Sequence, residues 1–267
     1  MQKIETISSW VSQIHEGFCE DLIPKLPDNS IDLVVTSPPY NVDLGDNRYN
    51  KSPYDLYQDN KDHKKFLEEL TYVFEILKPK LVEGGRVCIN IGDGKNGNVP
   101  THSDIIQFMT KDLKYLIKST IIWNKNQTSN RAAWGTFISP FNPSFPTPFE
   151  YILIFCNETQ SKNGNKDNIT VNKSEFVRNS LALWSFKAEK NMKKLGHPAM
   201  FPIELPYRLI QQLSYKDDVV LDIFAGAGTT CLAAEMLERR WIGFEMSEEY
   251  VGTARKRISQ YTDQTRF

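Results

Sequence analysis

Two consecutive prolines, Pro38 and Pro39, stand just after the apolar, β-branched run Ile31-Asp32-Leu33-Val34-Val35. Neither proline has an N–H, so no sheet ladder passes through them and the strand must end near Thr36. The elbow leaves Ser37 and Tyr40 at the strand's carboxyl end, where open α/β sheets bind ligands. A small hydroxyl, rigid carbonyls and an exposed Tyr suit the grip of a flat ring that carries an amino group. Hydroxyl and carbonyl accept its N–H bonds, and the Tyr ring stacks. The same residues also suit a plain turn with a packed Tyr, so the rest of the chain must decide.

Strand-like and helix-like segments alternate along the 267 residues, which is the α/β signature. Strands are predicted over 10–14, 31–36, 86–91, 115–123, 150–156, 219–224 and 241–245. Helices are predicted over 19–26, 64–77, 103–113 (capped by Ser103), 202–213, 229–237 and 248–259. Residues 43–61, 92–101, 124–148 and 157–196 read as polar or proline-punctuated connections. With 40% apolar residues the chain can bury a sizeable core. Its net charge of -1 neither announces nor excludes a nucleic-acid partner, because local patches carry that work. The scattered cysteines, Cys19, Cys88, Cys156 and Cys231, form no CxxC pair. That argues against zinc or disulfides and fits a reducing cytoplasm. No apolar run reaches membrane-span length, and no signal-peptide pattern is seen.

A second constellation follows the strand Val219–Asp222. Phe224-Ala225-Gly226-Ala227-Gly228 leads into Thr229-Thr230 and a helix. Its glycines allow close backbone approach to a ligand. Cys231 stands where a dinucleotide fingerprint needs a third Gly, and the turn has no phosphate-loop Lys. Glu245 ends the next strand, the position from which an acid holds the two hydroxyls of a nucleoside ribose. Asp222 is expected to shape the pocket for the rest of the cofactor. A nucleoside site without phosphate equipment fits S-adenosylmethionine. An amine clamp fits a nucleobase whose exocyclic nitrogen needs its lone pair released from the ring. Neither a metal nor a covalent enzyme intermediate is needed.

In this order, Ser37-Pro38-Pro39-Tyr40 first and Phe224-Ala225-Gly226-Ala227-Gly228 later, the motifs resemble amino-group DNA methyltransferases of the permuted beta class. Further matches are the Gly-Gly turn within 81–91, Trp123-Asn124-Lys125, Trp134-Gly135, Glu150-Tyr151-Ile152-Leu153 and Gly196-His197-Pro198-Ala199. The resemblance covers nearly the whole chain. It implies a doubly wound, mostly parallel Rossmann-like sheet with helices on both faces, completed at its cofactor side by segment 10–16. It implies a catalytic and cofactor-binding domain over 1–156 and 197–267, and a target-recognition insert over 157–196. Ser37, Pro38, Pro39 and Tyr40 are then catalytic. Phe18, Cys19, Thr36, His197, Pro198, Asp222, Phe224, Ala225, Gly226, Gly228, Thr229, Thr230 and Glu245 line the cofactor. Two positions depart from the family pattern: Phe18 replaces a common Asp, and Phe201 replaces a common Lys.

Ser rather than Asp before Pro-Pro resembles the N4-cytosine branch; N6-adenine is the alternative. Either base must be flipped from duplex DNA, with Tyr40 stacking on it. From Ser161 to Gly196 eight basic residues face three acids. Lys162, Lys166, Lys173, Arg178, Lys187, Lys190, Lys193 and Lys194 are therefore expected to meet phosphates. The Asn-rich loops 41–50 and 92–98 are expected to read base edges. The resemblance implies restriction-modification and a functional endonuclease partner, and leaves the oligomeric state open. A nucleotide-dependent oxidoreductase, an inactive DNA-binding relative and a protein or RNA methyltransferase are the competing readings.

Overall fold

The computed structural model describes residues 6–41, 61–94, 97–126, 135–189 and 200–265. An eight-stranded sheet runs in the order β1 (Gln13–Glu16), β8 (Arg240–Glu245), β7 (Val219–Asp222), β2 (Ile31–Thr36), β3 (Leu81–Ile91), β5 (Phe149–Cys156), β4 (Leu116–Asn124), β6 (Leu183–Ser185). Neighbours are parallel except around β5, which is antiparallel to both β3 and β4. The carboxyl ends of all strands but β5 therefore share one edge of the sheet.

Alternation divides the strands between two cores, and in β2 an irregularity between Ile31 and Leu33 shifts its phase. Ile31 and Val34 of β2, with Val219 and Leu221 of β7, join one core under α1 (Cys19–Leu22), α2 (His63–Leu77) and α3 (Thr101–Gln107). Leu33, Val35 and Val220 face the other, under α5 (Glu204–Leu213), α6 (Thr229–Met236) and α7 (Glu248–Thr265). A strand buried on both faces needs a continuous apolar run, which Leu33-Val34-Val35 gives the middle of β2. In α2 the Asp62 carboxylate caps Lys64 N–H and Lys65 N–H. Phe66, Leu70, Val73, Phe74 and Leu77 then bury its inner stripe. Truncating Phe74 to Ala would cost about 3–5 kcal/mol.

The doubly wound, mostly parallel sheet is as expected, including its completion from the amino-terminal side. β1 pairs with β8 from Gln13 opposite Ile242 to Glu16 opposite Glu245. Helix α7 lies against β1, with the Arg255 guanidinium donating to Ile14 O at 2.8 Å.

Several local expectations differ. The first strand begins at Gln13, because residues 7–9 form a short 3-10 turn. Helix α3 begins at Thr101 rather than at a Ser103 cap. Asp93 Oδ1, from outside the helix, accepts His102 N–H at 3.1 Å and takes over that work. The polar stretch after β5 is not all irregular. Lys173–Asn179 forms α4, closed by a capping box between Asn172 and Glu175. Leu183–Ser185, expected inside the insert, pairs with β4 as the last strand of the sheet. No helix among the described residues is long and apolar enough to cross a membrane.

Candidate active site

The sheet reverses its winding between β7 and β2, and this switch point is where an open α/β sheet offers a crevice. One hydrogen bond ties its two sides together. Thr36 Oγ1 donates to Asp222 Oδ1 at 2.7 Å. Phe224 N–H donates to the same oxygen at 3.1 Å, pinning the start of the glycine turn. Asp222 is 2% exposed. Burial pushes its carboxyl up to about 6, while bonds from Thr36, Thr230 and the Phe224 N–H pull it down. Gly226 and Gly228 have φ of 51° and 74°, so the turn passes through the left-handed region. A Cβ on Gly228 would also lie 2.8 Å from the Ala254 Cβ of α7.

Glu245 faces this turn. Its Oε2 accepts Gly226 N–H at 2.8 Å and its Oε1 accepts Ser247 N–H at 2.9 Å. Burial raises its carboxyl, and the backbone donors lower it. Each oxygen keeps lone-pair capacity for a ligand hydroxyl. Gly17 N–H bonds Glu245 O at 2.9 Å, and the next residue, Phe18, is the N-cap of α1. Phe18 is 51% exposed and offers a flat apolar wall. A nucleoside fits this chemistry, with an acid for hydroxyls, a wall for a ring and glycines for close approach. The site contains no cationic phosphate clamp among these residues.

On the other side of the switch point, Ser37 Oγ lies 3.1 Å from Asn90 O and 3.2 Å from Tyr40 Oη. The Tyr40 hydroxyl donates to Glu150 Oε2 at 2.9 Å. The Asn90 amide spends its two hydrogens on Tyr40 Oη at 2.7 Å and Glu150 Oε2 at 2.8 Å. Lys125 Nζ pairs with Glu150 Oε1. The Tyr40 proton is committed to a carboxylate, so its oxygen accepts. Ser37 has one hydrogen for two acceptors, which leaves its own lone pairs open to an incoming donor. The elbow is tight: Pro38 is buried, with Ser37, Pro39 and Tyr40 half-buried. Tyr40 is thus less exposed than expected, because its hydroxyl is drawn in to Glu150.

Asn90, Lys125 and Glu150 fall within the family-matching stretches 81–91, 123–125 and 150–153, but the sequence assigned none of them a chemical role. A signal was available. Asn90 interrupts the apolar run Val87–Ile91, and Glu150 heads the apolar strand β5. Buried polar groups on strands need partners.

Residues 31–256 match the family model described as DNA methylase, the N6/N4 group. The chain belongs to this family. Among its relatives, the type II methyltransferase M.MjaI of Methanocaldococcus jannaschii is 33% identical, over 88% of this chain and 89% of its own. M.MjaVI of the same organism is 36% identical, over 61% of this chain and 80% of its own. Among solved structures, TTHA0409 of Thermus thermophilus, complexed with S-adenosyl-L-methionine, superposes with a TM-score of 0.73. It is 29% identical, covering 93% of each chain. The PvuII DNA methyltransferase shares the fold, with a TM-score of 0.69 at 22% identity over 94% of this chain and 89% of that one. S-adenosylmethionine, the cofactor expected from the sequence, stands with the family and with that bound neighbour.

Not every expected cofactor residue of this methylase faces the crevice. The Cys19 side chain is buried in the core, and burial pushes its thiol up; only its backbone is left for a ligand. Thr36 is spent on Asp222. Thr230 shares its one hydroxyl hydrogen between Asp222 and Val35 O, the latter 3.2 Å away, and Thr229 Oγ1 accepts from Arg257 at 3.3 Å. These threonines are buried supports of the turn, as is Ala225. Phe224 is half-buried at the turn's start. His197 and Pro198 lie outside the described residues.

The basic insert divides. Lys162 is a correction: its ammonium is buried between Asp32 at 3.0 Å and Asp218 at 2.9 Å, so no phosphate reaches it. Both acids lie at the amino ends of β2 and β7, opposite the edge that carries Ser37. Lys166 is exposed at that same far edge, where Lys216 N–H bonds Asn168 O. Lys173 and Arg178 are exposed on α4, which packs on α5 through Gln211 and Glu175. Lys187 is exposed and follows β6 at the Ser37 edge, where Phe186 N–H bonds Asn124 O. Lys190, Lys193 and Lys194 lie outside the described residues. So do loop 42–50 and residues 95–96.

Proposed function

We propose that this methylase modifies duplex DNA at a specific sequence, on the exocyclic N4 amine of a flipped cytosine, as the modification half of a restriction-modification pair. The observation that carries the reading is Ser37 Oγ, set beside the Asn90 carbonyl with its lone pairs open and next to a Tyr40 hydroxyl held by Asn90 and Glu150.

S-adenosylmethionine supplies an electrophilic methyl group on a sulfonium. Glu245 holds its ribose hydroxyls, Phe18 packs on its adenine, and Asp222 keeps the glycine turn in place. An exocyclic base amine is a poor nucleophile because its lone pair is delocalised into the ring. Ser37 Oγ and the Pro38 carbonyl accept the amine hydrogens and draw the nitrogen towards tetrahedral. That stabilises charge where it develops, from groups already in position. The Ser37 hydroxyl can also turn its hydrogen from the Asn90 carbonyl to the ring nitrogen beside the amine. Tyr40 stacks on the flipped base, and Asn90, Lys125 and Glu150 hold Tyr40 in register. The cytosine assignment rests on Ser37, where an Asp is usual in the adenine branch. On the DNA side, Lys187 and the neighbouring Lys190, Lys193 and Lys194 meet phosphates.

The test is methylation of mixed-sequence duplex DNA with methyl-labelled cofactor, followed by nucleoside analysis. N4-methylcytosine is expected. N6-methyladenine as the sole product would overturn the base assignment, and no incorporation would overturn the reading itself.

A further inference from the structure

The connection from β4 to β5 emerges at the Ser37 edge and is rooted on the side-chain network there. Lys125 N–H bonds Pro148 O at 3.0 Å, and the next strand opens with Phe149 and Glu150. Within it, residues 135–143 close into a small hairpin. Gly135 bridges Pro143, and Thr136 N–H bonds Asn142 O at 2.9 Å. A Cβ on Gly135 would lie 2.5 Å from Asn142 O, so the closure needs glycine. Pro140, Pro143, Pro146 and Pro148 stiffen the path.

This stiff loop holds its apolar side chains in water. Ile138 and Phe141 are each 88% exposed and Phe145 is 80% exposed. Ile138 also sits at φ 54°, a left-handed conformation that β-branching disfavours. Folding gains nothing from displaying these groups, and a strained residue at a loop tip points to a function elsewhere. Their position names the occupant. The loop that carries them is rooted at Lys125, Pro148 and Glu150, in the network that holds Tyr40, and flipping a base opens a gap with an apolar ring face above and below it. Proteins that unstack duplex DNA fill such gaps with apolar wedges.

We propose that Ile138 and Phe141 form the wedge that enters the base stack when the target nucleotide leaves it, with Phe145 covering the adjacent sugar edge. The inference rests on the reading of this chain as a DNA methylase acting on a flipped base. The wedge supplies the stacking that the departing base gives up. It is needed for a paired target and dispensable where the target is already unpaired.

The test compares wild type with the Ile138→Ser/Phe141→Ser double variant on two duplexes that carry the methylated sequence. In one the target base is paired; in the other it faces an abasic site. Both substituted positions are exposed, and an unchanged melting temperature confirms the fold. On the paired duplex kcat/KM should fall about 20-fold, the size of lost aromatic stacking, and on the abasic duplex it should stay within about 3-fold. Equal loss on both duplexes, or none on the paired one, would overturn the wedge. A wild type that methylates neither duplex would overturn the DNA-methylation reading, and the wedge with it.

Discussion

Two buried carboxylates flank the elbow and are satisfied differently. Glu150, on the target side, has an ammonium and two neutral donors, from Lys125, Asn90 and Tyr40. Asp222, on the cofactor side, has hydroxyls and a backbone N–H, and no basic side chain bonds it among the described residues. The second arrangement costs stability, because desolvation of the charge is not offset by a cation. It also leaves a negative charge uncompensated beside the turn, suited to a cofactor that brings its own positive charge. The first arrangement costs less but depends on side chains from separate strands, so a single substitution can loosen it.

The largest expected effect lies between these acids. Ser37→Ala removes an acceptor aimed at developing charge, and should lower the single-turnover rate by about 100- to 1,000-fold. Cofactor affinity, read by calorimetric titration, should change less than about 2-fold; equal losses in both would place Ser37 in the wrong half. Tyr40→Ala should show the same imbalance, with turnover falling far more than cofactor binding.

Next comes the cost of Asp222. Its carboxyl titrates at about 6 in the folded chain, against an ordinary 3.8. The folded state therefore holds the proton better, and this contribution is complete below the ordinary value and lost as pH rises through about 6. Between pH 4 and 7 wild type should lose up to about 3 kcal/mol relative to Asp222→Asn, read from urea unfolding. Parallel curves would show that the carboxylate is compensated after all.

Glu245→Gln should weaken cofactor binding about 30-fold, with the rate at saturating cofactor nearly unchanged, since a hydrogen bond to a charged group is worth about 2 kcal/mol. A smaller effect is expected from Glu150→Gln. It leaves Tyr40 bonded but loses the ion pair, and should slow turnover about 10-fold while sparing cofactor affinity. An unchanged rate would reduce the network to a structural role.

The two sides were also unequally legible. The cofactor side is contiguous: strand, glycine turn, helix and the acid of the next strand lie within 219–245, and local rules read them. The elbow was legible for the same reason, since Pro-Pro acts on its own backbone. The partners of Tyr40 were not, because Asn90, Lys125 and Glu150 come from other strands and meet only through the β3–β5–β4 register. Lys162 failed as a phosphate contact for a similar reason. Its partners Asp32 and Asp218 approach across the sheet's amino edge, so counting charge along the chain mistook a buried pair for a surface. Helix α4 carried a readable Asn172–Glu175 capping box inside a stretch dismissed for its polarity.

The division of labour between the sides is tested most directly by the double variant Ser37→Ala/Glu245→Gln, measured for cofactor affinity and for single-turnover rate at saturating cofactor. The account predicts the affinity of Glu245→Gln alone and the rate of Ser37→Ala alone, additive within about 0.5 kcal/mol. Coupling of about 1.4 kcal/mol or more, a tenfold departure from additivity, would contradict it.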